Sequence, residues 1–249
     1  MENLKDKRVL ITGASAGIGE AVALKLAEAG AEVFLVARRG ERLKELEEKI
    51  GSRAHVLVAD VNDEQLPQLL EKFTGKKVDI LINNAGLALG RDKVEAAQWG
   101  DFEAMIHTNV LANFRVAHTL VPWMLARGGG DIINLCSIAG HYTYPGGAVY
   151  CATKHAVLAF TRALREETAG RNLRVMQISP GMVETEFSAV RFKGDESLSG
   201  SVYKGMTPLV AQDIAEMMLF MLTRPRHVVI DEIITMPQDQ GSATTVVRR

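Results

Sequence analysis

A chain of 249 residues, 47% hydrophobic and 24% charged, has an ordinary globular composition and can bury about three quarters of its unfolded surface without disulfides. A formal net charge of −1 gives no electrostatic reason to expect nucleic acid or an anionic membrane as partner. No apolar run approaches the roughly 18 residues of a membrane span, and the charged start MENLKDKR leads into a run too short for a secretory signal, so a cytoplasmic protein is expected. The two cysteines, Cys136 and Cys151, lack any metal-ligand spacing and read as reduced thiols; no metal is expected.

In chain order, strands are predicted at 8–12 (RVLIT), 32–37, 54–60, 79–83, 131–137, 174–179 and 228–233. Their near-continuous, β-branched apolar character suits strands buried on both faces of a parallel sheet. Amphipathic helical patterns lie between them, at 19–30, 41–51 and 156–170. The alternation predicts one α/β domain over 1–249, a Rossmann-type doubly wound sheet of about seven strands with helices on both faces. Gly128–Gly130 reads as a helix-to-strand turn. The stretch 184–207 is polar, glycine-containing and without a clear strand, and is expected to be a substrate-side insertion. The tail SATTVVRR is expected to be ordered only by a neighbour, if at all.

The first strand runs into TGASAGIG. Gly13, Gly17 and Gly19 permit a tight turn that brings a pyrophosphate close to backbone N–H groups at a helix N-terminus, with Ser15 adding a hydroxyl and Ile18 lying alongside. The second strand ends VFLVARRGER. Where an NAD-binding unit carries a carboxylate for the ribose 2′-hydroxyl, this chain has Ala37 followed by Arg38 and Arg39. A guanidinium fork suits a 2′-phosphate, so NADP(H) is preferred over NAD(H); the alternative is two solvated surface arginines. Asp60, after the third strand, is a candidate for the adenine amino group with Val61 packing nearby, or else a turn residue. Asn84, Ala85 and Gly86 follow the fourth strand, where small residues let backbone approach a ribose.

In AVYCATKHAV, Tyr150 and Lys154 are four positions apart and share one helical face. Cys151 points about 100° away from that face. His155 could share the face of Cys151, but no orienting acid is apparent, so the thiol reads as packing.

Together, TGASAGIG, NNAG (83–86), Asn109, Ser137, the Tyr150–Lys154 pair and PGMVET (180–185) resemble a short-chain dehydrogenase/reductase, over nearly the whole chain and in the family's order. The resemblance implies hydride transfer between nicotinamide and a CH–OH or carbonyl group. A free tyrosine titrates at about 10, and the ammonium of Lys154 with a positive nicotinamide is expected to lower that value so that Tyr150 can move the substrate proton. Lys154 is also implied to hold the nicotinamide ribose, and Ser137 to position the substrate oxygen and stabilise its charge. Asn109 is implied to hold a relay water; read by itself, it is a mid-helix polar side chain bonded to backbone. Pro180, Gly181, Val183 and Thr185 are implied to shape the nicotinamide site.

Substrate identity is expected in HYTYPGG (141–147) and in the insertion. There, Arg191 or Lys193 is a candidate for a substrate carboxylate, the alternative being a solvated loop face. A weaker likeness, in VETEF…VRFKGD, LVAQDIAEMM and RHVVIDEIITMPQDQ, points to NADP-dependent 3-hydroxy acid dehydrogenases, including those acting on serine. A 3-oxoacyl-carrier-protein or broad carbonyl reductase is the enzymatic alternative, and a noncatalytic NADP-binding regulator the other. The family resemblance also implies a homotetramer.

Overall fold

In the computed structural model, which describes residues 2–249, the apolar runs become strands because their side chains are buried above and below the sheet. Met1, the first residue of the expected domain, lies outside the described residues. Strands β1 (Arg8–Thr12), β2 (Glu32–Ala37), β3 (Ala54–Val58), β4 (Ile80–Asn83), β5 (Gly130–Leu135) and β6 (Leu173–Pro180) join a last strand, Glu232–Thr235. The order is β3-β2-β1-β4-β5-β6-last strand, seven in all and every pairing parallel.

Helices α1 (Gly17–Glu28), α2 (Gly40–Ile50) and α3 (Leu66–Thr74) follow the first three strands. Next come α4 (Trp99–Ile106), a π-helical turn His107–Ala112 and α5 (Asn113–Ala126), then α6 (Ala148–Thr168). One face of the sheet packs on α1, α2 and Ala211–Leu222, the other on α3, α5 and α6, giving one core on each side. Strand order reverses between β1 and β4, and the carboxyl ends of the strands part there, opening a crevice. The fold is the expected Rossmann-type α/β sheet.

Several boundaries differ from expectation. The third strand stops at Val58, the fifth runs only to Leu135, and the helix predicted over 156–170 belongs to the longer α6. The last strand spans 232–235 where 228–233 was expected. Buried Arg174, bidentate to Asp131 at 2.6 and 2.9 Å, also donates Nη1 to the carbonyls of Arg224 and Val228. Those carbonyls are thereby taken from any ladder, and pairing with β6 begins only where Gln177 N–H meets the Asp231 carbonyl.

Within the insertion only Glu184 belongs to a strand, in keeping with its strandless expectation, and two short strands close it at its borders. Val183–Glu184 pairs in parallel with Leu209–Val210, and α7 (Phe187–Arg191) and α8 (Glu196–Ser201) lie between them. The tail is held by its own chain: Arg248 Nη2 donates to the Val202 carbonyl at 3.0 Å and Val247 N–H to the Asp239 carbonyl at 2.8 Å. The carbonyls left open after α8 give the terminal guanidinium its partners.

On the last strand, Glu232 gathers the side chains of Ser179, His141 (2.6 Å) and Gln177 (2.8 Å). His141 directly follows the short 3₁₀ turn Ile138–Gly140 that begins after Ser137, so this carboxylate fastens the turn to the sheet. Burial pushes the Glu232 carboxyl up, but the donors outweigh it and hold its pKa below the usual 4.5. A depressed pKa gives stability that is present above the unfolded value and lost as pH falls through the folded one. The difference in unfolding free energy between wild type and Glu232→Gln, from urea titrations, is therefore expected to close below about pH 4.5. A constant difference from about pH 7 to about pH 3 would contradict this pinning.

Candidate active site

The β1–α1 turn is built around residues with no side chain. Gly13 and Gly17 have φ of 67° and 56°, in the left-handed region. A Cβ on Gly19 would lie 2.3 Å from the Gly13 carbonyl oxygen, so the helix can pack on the strand only through glycine. Asn84 Nδ2 donates to the carbonyls of Thr12 (2.8 Å) and Gly13 (3.2 Å), while Thr12 Oγ1 accepts the N–H groups of Asn84 and Ala85. The NNAG loop and the glycine turn are thus one hydrogen-bonded unit. No side chain caps the N-terminus of α1, and Ala16, Gly17 and Ile18 line the adjoining cavity. Bare backbone N–H groups at a helix start fit a pyrophosphate.

That cavity, of about 510 Å³, runs along the carboxyl ends of the strands. It brings together Gly13, Ser15, Gly17, Ile18, Arg38, Arg39, Asp60, Val61, Asn84, Ala85 and Gly86 with Ser137, Tyr150 and Lys154. Pro180, Gly181, Val183, Thr185 and Arg191 complete the set, whereas Gly19, Asn109 and Lys193 stand outside the lining. Gly19 acts through the turn's packing.

At the nucleotide end both arginines have acidic partners that the strand end alone does not reveal. Arg38, 69% exposed, stands 3.6 Å from Asp60, and Asp60 also accepts the Asn62 N–H at 2.9 Å in a local turn. Arg39 donates Nη1 to Glu186 at 2.7 Å and Nε to Ser15 Oγ at 3.2 Å. Asp60 and Glu186 both reach this fork from elsewhere in the chain, not from the strand end.

At the other end α6 carries Tyr150 and Lys154, 8% and 5% exposed. Lys154 Nζ donates to the Leu135 carbonyl at 3.0 Å and lies 5.9 Å from the centre of the Tyr150 ring. Burial lowers the Lys154 pKa. Burial, with Tyr144 adding to it, raises that of Tyr150, while Ser137 and Arg191 oppose the rise. In the protein alone desolvation thus outweighs the groups that favour phenolate, while the expected lowering also calls on the charge of a positive nicotinamide.

Ser137, two residues beyond β5, caps the 3₁₀ turn Ile138–Gly140, its Oγ accepting the Ala139 N–H at 3.1 Å and donating to the Pro180 carbonyl at 3.4 Å. Asn109 sits in the π-helical turn, a distortion frequent at functional sites. Its Oδ1 accepts Leu87 N–H at 2.8 Å and its Nδ2 donates to Leu87 O at 2.7 Å and to Thr153 Oγ1 at 3.1 Å. The side chain thus clamps the loop beyond Gly86. Cys151 is buried and its pKa is raised by burial; His155 meets the Cys151 carbonyl, so no thiol–imidazole pair forms.

The two basic candidates of the insertion separate. Arg191 stands 5.7 Å from the ring centres of both Tyr144 and Tyr150, and its Nη1 donates to Tyr144 Oη at 3.2 Å. Lys193 instead pairs with Asp101 at 2.8 Å. Sequence reasoning missed Phe187, which lies 5.8 Å from the Tyr150 ring, and Gln240, whose Oε1 accepts the Met182 N–H at 2.8 Å. Phe187 sat unremarked within VETEF; nothing in the sequence signals Gln240.

The family model for short chain dehydrogenases matches residues 7–196. The chain is 44% identical over 257 residues to the NADP-dependent 3-hydroxy acid dehydrogenase of Schizosaccharomyces pombe, covering 100% of this chain and 99% of that one. It is 41% identical over 249 residues to sulfoacetaldehyde reductase 2 of Chromohalobacter salexigens, covering 97% and 98%. A solved structure, the closed form of a serine dehydrogenase complexed with NADP+, aligns with a TM-score of 0.92 at 38% identity, covering 97% of this chain and 99% of that one. With the motifs, the sheet order and these likenesses in agreement, the chain belongs to the short-chain dehydrogenase family.

Proposed function

We propose that the protein is an NADP(H)-dependent oxidoreductase interconverting a small 3-hydroxy acid, such as serine or 3-hydroxyisobutyrate, and its 3-oxo acid, with Tyr150 as general acid and base. The observation that carries this reading is the single cavity shared by the glycine turn, Arg38 and Arg39 with Ser137, Tyr150, Lys154 and Arg191. The relatives named for NADP and 3-hydroxy acids, and the serine dehydrogenase solved with NADP+, support the cofactor and substrate class.

The α1 N-terminus and the glycine turn hold the pyrophosphate, and Arg38 and Arg39 take the 2′-phosphate. When bound, the nicotinamide supplies or accepts the hydride. In reduction Tyr150, kept neutral by burial, gives its proton to the carbonyl oxygen, and Ser137 Oγ steadies that oxygen as charge grows on it. In oxidation the hydroxyl proton passes to the Tyr150 phenolate, the form that Ser137 and Arg191 favour. Lys154 holds the ribose, and Asn109 fixes the loop beside it in addition to its proposed relay role. Arg191, facing the phenol across the cavity, takes the carboxylate. Residues 184–207 serve as the substrate-side part of a single domain. For assembly we propose a homotetramer, supported by exposed Trp99, Ile106 and Leu111 on one helical stretch and by exposed Phe220 and Ile234.

Tyr150→Phe is expected to keep NADPH binding while losing roughly 100- to 10,000-fold in turnover, since general acid–base catalysis is removed; near-normal turnover removes Tyr150 from its role. Arg191→Met should raise KM for 3-hydroxy acids roughly 10- to 100-fold with little change for neutral alcohols, the size of a lost charge-assisted hydrogen bond; unchanged constants for acids reject the carboxylate assignment. Light scattering is expected to give a mass four times the 27.2 kDa chain, and a monomer mass rejects the assembly.

A further inference from the structure

Arg39 already holds an anion, and that anion belongs to the substrate-side segment. Its Nη1 donates to Glu186 Oε2 at 2.7 Å, while Nε and Nη2 hold the hydroxyl and carbonyl of Ser15 at 3.2 and 3.4 Å. Arg42, on α2, brings Nη2 to 3.8 Å from Glu186 Oε1. Glu186 therefore faces two guanidinium groups: Arg39, which the cofactor reading gives to the 2′-phosphate, and Arg42, three residues on. It is also the residue preceding α7, which presents Phe187 to Tyr150 at its start and Arg191 to Tyr144 at its end. Its neighbour Thr185 rests against Gly17 so closely that a Cβ there would lie 3.2 Å from the threonine Cβ. One carboxylate thus joins the cofactor-selecting corner to the segment covering the reacting end.

We propose that Glu186 is a specificity-determining residue whose carboxylate competes with the cofactor's 2′-phosphate for Arg39 and Arg42, coupling the choice between NADP(H) and NAD(H) to the seating of residues 185–191. The inference rests on the proposed assignment of the arginine corner to the 2′-phosphate. A phosphate brings up to about two negative charges, and a carboxylate within hydrogen-bonding distance of the same fork repels it. With NAD(H), which lacks the phosphate, Arg39 stays with Glu186 and α7 stays tied to α2. With NADP(H), the fork is shared, and Glu186 sets discrimination below what the arginines alone would give. Arg39 and Glu186 are 49% and 47% exposed, so the coupling is modest and screened by salt.

The test is calorimetric binding of NADP+, NAD+, 2′-AMP and 5′-AMP to wild type, Glu186→Gln and Glu186→Asp, with thermal melts reporting folding. Glu186→Gln is expected to tighten NADP+ and 2′-AMP by roughly three- to tenfold, leaving NAD+ and 5′-AMP within about twofold, with the gain shrinking as salt rises. Glu186→Asp, which keeps the charge, should stay near the wild-type ratio. Hydrogen exchange over 187–191 in the NAD+ complex should quicken in Glu186→Gln. An unchanged NADP+ to NAD+ ratio in Glu186→Gln, or equal weakening of all four ligands, overturns the proposal. Wild type binding 2′-AMP no better than 5′-AMP would overturn the cofactor reading itself, an outcome distinguishable because it involves no variant.

Discussion

A buried ammonium must be held by oriented dipoles or lose its charge, and the placement of Lys154 follows from that demand. Its Nζ finds the carbonyl of Leu135, at the end of β5, and burial still lowers its pKa. The contact docks α6 against the carboxyl end of the sheet, and Tyr150, one turn earlier, is carried with it into the cavity. Around this point the packing leaves little freedom: Cys136 Sγ donates to the Lys154 carbonyl, and Gly140 passes so close that a Cβ would lie 2.9 Å from that oxygen. Ser137 leads the turn containing Gly140, which the Glu232 carboxylate fastens through His141. Ser137, Tyr150 and Lys154 are thus brought together by the helix that Lys154 docks on the sheet and the turn packed against it.

The consequence for Tyr150 is electrostatic. In the protein alone the desolvated phenol is the favoured form, with Ser137 and Arg191 as the groups that soften the penalty. Arg191 is a positive charge favouring phenolate, and in the proposed function it is also the anion receptor facing the phenol. On that proposal substrate binding and proton transfer are linked, because an acid that neutralises Arg191 also removes part of its help to the phenolate.

Much of this was legible in the sequence because it depends on local rules. Buried parallel strands read as apolar runs, a helix packed onto its preceding strand demands glycine at position 19, and a four-residue spacing puts Tyr150 and Lys154 on one face. What escaped the sequence depends on contacts between distant segments. Glu186 reaches Arg39 across 147 positions, and Asp60 meets Arg38 from the loop after β3. The last strand starts late because Arg174, in another strand, claims the carbonyls before it. The burial of Tyr150 escaped the sequence for a similar reason: spacing reports the nearness of Lys154, but burial is a property of everything packed around the pair. The tail, expected to be ordered only by a neighbour if at all, is held by Arg248 on the carbonyls after α8 and by Arg249 beside Asp239.

The central claim is that one cavity joins hydride transfer to proton movement on a small hydroxy acid. Its most direct test is single-turnover mixing of the protein with NADP+ and a 3-hydroxy acid deuterated at the hydroxyl-bearing carbon. The account predicts recovery of the deuterium in the reduced nicotinamide, formation of the 3-oxo acid and a slower transfer than with the unlabelled acid. Absence of deuterium from the cofactor, with the 3-hydroxy acid returned unchanged, would contradict it.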